Sequence, residues 1–306
     1  MRWPRQYELV AVIGRGAAST VYRARSTPGG PDVALKVLDE TATHPELLAR
    51  LRDEARILRS IESIPAFVRA EPPLRVAGRW AVPLEWVPGN NAFSLLRHGA
   101  FPPKAAATVV SEVASALSSA WDHPGPEGPV RLIHRDLKPG NLQITPGGAV
   151  RILDLGIAKA SLPEREALTG GILPGSLGYM APERLRGEHL PAGDVFALGV
   201  VLRVLATGLA PTRARGFAGS PSGEGAIFAL AGAMQEPDPS GRPTMSEVAI
   251  TAARLASEAP GPGLTEWAVE RVQPVEATDP RCGEVWLEDS VLSWFIPRLR
   301  RGSGRR

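Results

Sequence analysis

Short runs of alternating apolar and polar residues, separated by glycine and proline, occupy the first part of the chain. Four runs have strand character and cover residues 7–13, 21–25, 33–38 and 80–87. Between the last two, apolar residues recur at helical spacing over residues 45–61. Residues 1–87 are therefore predicted to form a small lobe made of a sheet and one helix.

Longer apolar stripes with the period of a helix dominate the next part of the chain. Helices are predicted over residues 103–121, 194–207 and 245–255. The second of these is almost wholly apolar, so it is expected to be buried. Short strands are predicted over residues 131–133, 142–144 and 150–153. The pattern predicts an α+β fold with a larger, mostly helical lobe over residues 88–257.

A C-terminal tail, residues 258–306, includes a Pro-Gly-Pro-Gly run that breaks the helical pattern. The tail contains Trp267, Trp286 and Trp294, and their spacing does not place them on one helical face. We expect the tail to pack against the rest of the chain, with a docking site for a partner as the alternative. Its arginine-rich end is interpreted as solvated, with an acidic partner or anionic surface as the alternative.

Composition narrows the class of protein. Apolar residues make up 43% of the 306 residues, enough for a sizeable core, and the net charge of +3 is too small to indicate binding to nucleic acid or to an anionic membrane. The single cysteine, Cys282, cannot form a disulfide within the chain, which favours a reducing compartment. The N-terminus does not resemble a signal peptide, and no apolar run is long enough for a transmembrane segment. We expect a cytoplasmic protein.

The first candidate for chemistry is the loop G-R-G-A-A-S at residues 14–19. Glycines let backbone amides approach phosphate oxygens closely. A strand, not a helix, follows the loop, so it belongs to a hairpin that could fold over a nucleotide. An ordinary hairpin turn is the alternative interpretation.

Lys36 is the second candidate because it interrupts the apolar strand V-A-L-K-V-L. Only four of the 35 basic residues are lysines, which suggests that this position needs a compact ammonium group. A buried ammonium that binds phosphate needs an acidic partner, and Glu54 on the helix over 45–61 can face the sheet. The alternative is an edge lysine that reaches into solvent.

The densest set of polar residues is H-R-D-L-K-P-G-N at residues 134–141, followed by Asp154. Asp136, Asn141 and Asp154 lie near the ends of predicted strands. Two carboxylates and an amide can hold Mg²⁺ and still leave one carboxylate to accept a proton. A polar turn is the alternative for the first motif taken alone.

Together these motifs resemble the eukaryotic-type protein kinases, and in particular the bacterial (Hanks-type) serine/threonine kinases. The resemblance rests on G-R-G-A-A-S-T-V at 14–21, V-A-L-K at 33–36, H-R-D-L-K-P-G-N at 134–141, D-L-G at 154–156 and A-P-E at 181–183. It covers residues 7–257 and implies a bilobal kinase fold over residues 1–257.

The resemblance implies a role for each catalytic residue. Asp136 would accept the proton of a substrate hydroxyl, and Lys138 would contact the γ-phosphate. Lys36, paired with Glu54, would hold the α- and β-phosphates of ATP. Asn141 and Asp154 would bind Mg²⁺, or Mn²⁺ in its place.

The resemblance also implies a nucleotide pocket, in which backbone groups bind adenine and apolar side chains form much of the lining. Adenine would bind to the backbone of Glu85 and Val87 beside the gatekeeper Leu84. The nucleotide-binding residues would be Ile13, Gly14, Arg15, Gly16, Ala17, Ala18, Ser19, Val21, Ala34, Lys36, Leu84, Glu85, Val87 and Gln143.

Regulatory and structural roles are also implied. Arg135 would bind a phosphate on the activation segment, where Thr169 is the candidate for autophosphorylation in trans between associated copies. Ser176 would contact the catalytic aspartate and favour hydroxyl substrates. The structural residues would be His134, Asp194 and the pair Glu183–Arg242.

Three positions depart from the family pattern: Ser19 replaces a glycine, Leu155 replaces a phenylalanine, and Gln143 replaces an apolar residue under adenine. We expect a kinase acting on serine and threonine of protein substrates. A pseudokinase scaffold that binds nucleotide or partners is the first alternative, and a small-molecule phosphotransferase of related fold is the second.

Overall fold

A computed structural model describes residues 5–16, 18–27, 29–39, 45–156, 176–209, 211, 225–273 and 284–287. Its sheet-rich first part and helical second part confirm the predicted α+β, bilobal fold.

The small lobe is an antiparallel sheet with one helix. In chain order its first elements are β1 (Gln6–Arg15), β2 (Ser19–Thr27), β3 (Asp32–Leu38), α1 (Pro45–Ser60), β4 (Leu74–Val76) and β5 (Arg79–Glu85). These strands are ordered β1-β2-β3-β5-β4. Helix α1 buries Leu51, Ala55 and Leu58, which places the neighbouring Glu54 at the sheet as well.

The large lobe is built on a buried helical core. Its helices are α2 (Ala92–Leu95), α3 (Pro103–Trp121), α4 (Ala192–Thr207), α5 (Gly225–Met234), α6 (Met245–Glu258) and α7 (Leu264–Arg271). Helix α3 packs against α6, and α4 packs against α5. Helix α4 is buried along most of its length, as its apolar sequence predicts, and Gly208 in the left-handed region ends it.

Short strands of the large lobe lie beneath the segment that joins the lobes. They are β6 (Asn90–Asn91), β7 (Pro124–Gly125), β8 (Gly128–Pro129), β9 (Leu142–Ile144) and β10 (Val150–Ile152). The order β10-β9-β6 forms one small sheet. Strand β9 follows the loop 134–141 directly, and the turn over residues 145–149 joins it to β10.

The predicted strand over residues 131–133 is wrong. Arg131 has φ +52°, in the left-handed region, and its N–H donates to the carbonyl of Trp121. The N–H of Val130 donates to the carbonyl of His123. The bond of Val130 continues the antiparallel register of the β7–β8 hairpin, in which Pro124 lies opposite Pro129. The left-handed backbone of Arg131 ends the extended conformation there, so residues 131–133 do not form a strand.

The tail contacts both lobes. Trp267 on α7 packs against Phe101 of the large lobe, with ring centroids 4.2 Å apart. Strand β11 (Val285–Leu287), which carries Trp286, pairs with β1 of the small lobe. Trp294 lies outside the described residues. None of the described helices has the length and apolar character needed to cross a membrane.

Candidate active site

The polar loop 134–141 is fixed from below by Asp194. This carboxylate, in the first turn of α4, accepts hydrogen bonds from the backbone N–H groups of His134 and Arg135. The His134 ring is fully buried, and its Nε2 lies 3.2 Å from the carbonyl oxygen of Leu153. Burial lowers the pKa of His134 below its ordinary value, so the ring is neutral near neutral pH. These contacts fit a supporting role for His134.

Two residues of the site hold backbone conformations that are uncommon for residues other than glycine. Arg135 has φ +66° and Asp154 has φ +47°. The N–H of Gly156 donates to the carbonyl of His134 at 2.7 Å, and a Cβ at Gly156 would lie only 2.8 Å from that oxygen. The glycine therefore allows the segment 154–156 to approach the loop closely.

Asp136, Lys138 and Asn141 form a compact hydrogen-bonded group. Lys138 Nζ lies 2.9 Å from Asp136 Oδ2. Asn141 Nδ2 donates to the backbone carbonyl of Asp136 at 2.8 Å and to its Oδ2 at 3.1 Å. The carboxylate of Asp136 is thus held in one orientation, with its side chain 15% exposed.

Lys36 connects the two lobes. Its Nζ lies 2.8 and 2.9 Å from the carboxylate oxygens of Glu54, on α1, and 2.9 Å from Oδ1 of Asp154, in the large lobe. The structure therefore brings together the lysine, its predicted partner and the predicted metal ligand.

The charges of this cluster shift one another's pKa values. Burial disfavours the Lys36 ammonium, but the carboxylates of Asp154 and Glu54 outweigh it and raise its pKa. The Lys36 charge in turn holds the pKa of Asp154 below its ordinary value. Burial raises the pKa of Glu54, and Lys36 opposes that rise. Lys36 is therefore charged, and Asp154 ionised, near neutral pH.

The glycine loop forms the tip of the β1–β2 hairpin, as predicted. The N–H of Gly16 donates to the carbonyl of Ser19 at 2.7 Å, and Gly14 pairs with Val21 across the hairpin. Val21 in turn lies opposite Lys36 on β3. Ile13, Arg15 and Ala18 lie in the same hairpin, whereas Ala17 lies outside the described residues.

The segment 85–87, where the two lobes join, is called the hinge, and two side chains of the large lobe bind it. Gln143 Nε2 donates to the carbonyl of Val87 at 3.2 Å. Arg151 donates to both carboxylate oxygens of Glu85, at 2.9 and 2.6 Å, and to the carbonyl of Phe67. Leu84 lies opposite Ala34 in the sheet, and both are buried.

Arg151 was not recognised from the sequence as part of the site. The available signal is an arginine at the centre of the apolar strand V-R-I-L, the same kind of signal that identified Lys36. Burial raises the pKa of Glu85, but the hydrogen bonds from Arg151 and from the N–H of Arg69 outweigh it and lower the pKa.

Below the site, Glu183 and Arg242 form a buried ion pair with distances of 2.6 and 2.9 Å. Ser176 begins a short 3₁₀ helix, Ser176–Tyr179, but its side chain lies outside the described residues. Thr169 lies outside them as well.

A protein-family model matches most of the chain. It is the model of the protein kinase domain, and it matches residues 7–250. This chain belongs to the protein kinase family. Members of the family use ATP and Mg²⁺.

Curated relatives of this kinase domain are bacterial serine/threonine-protein kinases. It is 34% identical over 212 residues to drp72 of Corynebacterium efficiens, which covers 67% of this chain and 39% of the relative. It is 34% identical to PknA of Corynebacterium glutamicum over 202 residues, 64% of this chain and 41% of the relative. It is 35% identical to pkn3 of Myxococcus xanthus over 221 residues, 67% of this chain and 38% of the relative. The chain thus spans about two fifths of the length of these relatives.

The oxygen atoms of Asn141 and Asp154 fit the ligands that Mg²⁺ prefers. Asn141 directs its Nδ2 at Asp136, which leaves its amide oxygen for another ligand, and the Asp154 side chain is 46% exposed. Mg²⁺ prefers oxygen ligands and is commonly held by one or two protein groups together with phosphates. Among the described residues, no cluster of three His, Cys, Asp or Glu side chains could hold a metal by itself. The arrangement suits an ion that is shared with a phosphate ligand.

Proposed function

We propose that this chain is a protein kinase that transfers the γ-phosphoryl group of ATP to serine or threonine hydroxyls of protein substrates. The observation that carries the proposal is that Lys36 forms ion pairs with Glu54 of the small lobe and with Asp154 of the large lobe. Gly156 has no side chain and lies against Asp136, so the segment that carries Asp154 packs beside the oriented Asp136 carboxylate.

In the proposed reaction, Asp136 accepts the proton of the substrate hydroxyl while the hydroxyl oxygen attacks the γ-phosphorus. The bond from that phosphorus to the β,γ-bridging oxygen breaks, and ADP leaves. Asn141 holds the Asp136 carboxylate in place through its amide N–H group. Lys138 balances negative charge on the γ-phosphate, a role supported by the position of its Nζ 2.9 Å from the same carboxylate.

The remaining groups bind and position ATP. Lys36 contacts the α- and β-phosphates, and Glu54 keeps its ammonium in place. The glycine hairpin covers the phosphates, and the backbone of Glu85 and Val87 binds adenine. Asn141 and Asp154 hold Mg²⁺, which supplies neutralisation of phosphate charge when bound.

We also propose that activation involves phosphorylation of Thr169 in trans between associated copies. Within the described part of the chain, Arg135 has a buried Nε without a hydrogen-bond partner, which fits an arginine that awaits an anion. Phosphopeptide mapping of active protein tests this, and an unmodified Thr169 in that preparation contradicts it.

The transfer activity itself is tested with labelled ATP, Mg²⁺ and several substrate proteins. Asp136→Asn and Asp154→Asn should each lower the transfer rate about 10²- to 10⁴-fold, because each loses a carboxylate that acts in the reaction or holds its ion. Asp53→Asn is the matched control, since Asp53 is half exposed and pairs only weakly with Arg56 on the surface of α1.

Wild type and Asp53→Asn should therefore incorporate label alike. Nucleotide binding without transfer to any substrate would contradict the proposal and would support the pseudokinase scaffold.

A further inference from the structure

The last described residues of the chain add a strand to the small lobe. Strand β11 pairs antiparallel with β1, with Gln6 opposite Leu287, Tyr7 opposite Trp286 and Glu8 opposite Val285. The N–H of Leu9 donates to the carbonyl of Glu284 at 2.8 Å, which extends the contact by one residue. The outer edge of β1 is thereby covered over residues 6–9. An uncovered edge would present unpaired N–H and C=O groups to any other strand.

Trp286 anchors this strand. The residue is only 8% exposed and belongs to an apolar cluster with Tyr7, Leu9 and Tyr22 that is separate from the main core. Its ring meets Tyr22 edge to face at 5.2 Å. The guanidinium of Arg79 lies 4.3 Å from the ring centroid. Stacking on an aromatic edge and on a cation both favour tryptophan at this position.

The preceding part of the tail is anchored to the large lobe. Trp267 packs on Phe101, and the backbone of Thr265 lies so close to Gly148 that a Cβ there would come within 2.5 Å of its Cα. The N–H of Gln273 donates to Asn90 Oδ1 at 2.8 Å, next to the hinge. The tail beyond the family match thus contacts the large lobe, the hinge region and the small lobe in that order.

We propose that residues 284–287 are an intramolecular docking strand, and that the β1 edge with Tyr22 and Arg79 is the surface that binds it. The occupant is this chain's own tail because α7 and Gln273 hold the preceding residues on the same molecule. A tethered segment of this kind has a high effective concentration at its binding surface.

Docking restrains β1, which continues at its far end into Gly14 and Arg15 of the glycine hairpin. This interaction does not depend on phosphoryl transfer, and no catalytic residue takes part in it.

Hydrogen exchange of the full-length protein, followed by mass spectrometry, tests the docking strand. Trp286→Ala should speed exchange in peptides that contain Leu9 by about 10-fold or more, because the anchored strand opens locally when its largest buried side chain is removed. Peptides from α6 should be unchanged and report intact folding of the large lobe. Arg79→Met, which keeps the aliphatic stem and removes the cation, should give a smaller acceleration at the same peptides.

Val285→Ala is the matched control. Val285 is on the same strand but 54% exposed, and its side chain faces away from that of Trp286. Its exchange should match wild type. Equal protection of β1 in wild type and Trp286→Ala would overturn the proposal, and so would equal loss in Val285→Ala and Trp286→Ala.

The identity of the occupant is tested by dilution. Protection of β1 that stays constant over a wide range of protein concentration supports docking within one chain. Protection that falls on dilution would overturn it, because the strand would then come from a second copy.

Discussion

Gln143 is an unusual residue in the proposed nucleotide pocket because it brings an amide to a place where the family resemblance implies an apolar side chain. Its Nε2 donates to the carbonyl of Val87, on the segment that is proposed to bind adenine. Proline follows Val87, so the next peptide has no N–H group of its own. The bond leaves the N–H of Val87 available, and Gln143 therefore fits a residue that positions the hinge without occupying its adenine-binding groups.

A substitution that keeps the shape of Gln143 and removes its donor tests this role. Gln143→Glu should raise the KM for ATP about 3- to 10-fold, since one hydrogen bond is worth about 1 kcal/mol and a carboxylate would repel the Val87 carbonyl. The kcat should change less than about twofold, because the reacting groups are untouched. Steady-state kinetics over a range of ATP concentrations give both values.

Gln143→Leu is the comparison variant, because it also lacks the donor but adds no charge and restores an apolar surface under the base. Its KM for ATP should lie between those of wild type and Gln143→Glu. A KM for Gln143→Glu equal to that of wild type would show that the bond to Val87 does not position the hinge.

At the residue scale, the sequence predicted those partners whose chemistry leaves few choices. Lys36 needed an acidic partner, and helical spacing favoured Glu54 over Glu46 and Asp53 of the same helix. The structure has Lys36 and Glu54 in contact. The link between Arg151 and Glu85 was missed because the two residues are 66 positions apart. An arginine side chain has five N–H donors and can bond any carboxylate or backbone carbonyl that lies near it in the fold, so no local sequence pattern identifies its partner.

Among the elements, the short 3₁₀ helix Glu183–Arg186 is joined to the loop before α6 by Arg242. Besides its two bonds to Glu183, Arg242 donates to the carbonyls of Ala192 and Glu236. Its guanidinium also lies 4.9 Å from the ring of Phe196 on α4. One side chain thus fixes the 3₁₀ helix Glu183–Arg186 against α4 and the loop before α6.

Removal of Arg242 should destabilise the protein strongly. Arg242→Met leaves the fully buried Glu183 carboxylate without its cation, and the expected loss in the free energy of unfolding is about 3–5 kcal/mol. Chemical denaturation at neutral pH measures it. Arg254→Met is the control, because Arg254 pairs with Glu258 on the exposed face of α6 and should cost less than about 1 kcal/mol.

Acidification should remove the same stabilisation. Burial raises the pKa of Glu183, but the hydrogen bonds from Arg242 outweigh it and hold the pKa below the ordinary 4.5. A depressed folded-state pKa means that the stabilisation is fully present above about 4.5 and is lost as the pH falls through the lower, folded-state value. When the pH falls from about 5 to about 3, roughly the span over which a carboxyl titrates, the free energy of unfolding should therefore fall less in Arg242→Met than in wild type. Parallel losses in the two proteins would contradict the assignment.

At the element scale, period and length were sufficient where an apolar stripe was long, and the helix predicted over 103–121 has those bounds. Three-residue runs were less certain: the strand over 142–144 was predicted correctly, but its length alone could not distinguish it from the run at 131–133. The strand over 131–133 failed because three apolar-rich residues fit either a strand or a turn, and the left-handed backbone of Arg131 cannot be read from an arginine. Tertiary contacts decided that segment.

Across the whole molecule, the lobes are connected by polar contacts at two levels. Lys36 reaches Asp154 inside the cleft, and Arg151 reaches Glu85 and Phe67 behind the hinge. The tail adds a third connection, through α7 on one lobe and β11 on the other. The sequence predicted that its tryptophans would pack but could not say where, because strand pairing between positions 6 and 287 depends on the assembled sheet.

The contact behind the hinge gives a prediction for the stability of the whole molecule. The side chains of Arg151 and Glu85 are 18% and 26% exposed, so solvent screens their attraction only in part. Arg151→Met should lower the free energy of unfolding by about 1–3 kcal/mol, because it leaves the Glu85 carboxylate partly buried and removes the bond to Phe67. Glu85→Gln should cost less, since an amide oxygen still accepts from the guanidinium.

A double-mutant cycle separates the pair from its surroundings. The cost of Arg151→Met combined with Glu85→Gln should be smaller than the sum of the two single costs, with a coupling of about 0.5–3 kcal/mol. Urea denaturation of the four proteins provides the cycle. Additive costs would show that the two side chains stabilise the molecule independently, and the hinge would then be held by the sheet pairing of β3 with β5 and by Gln143 instead.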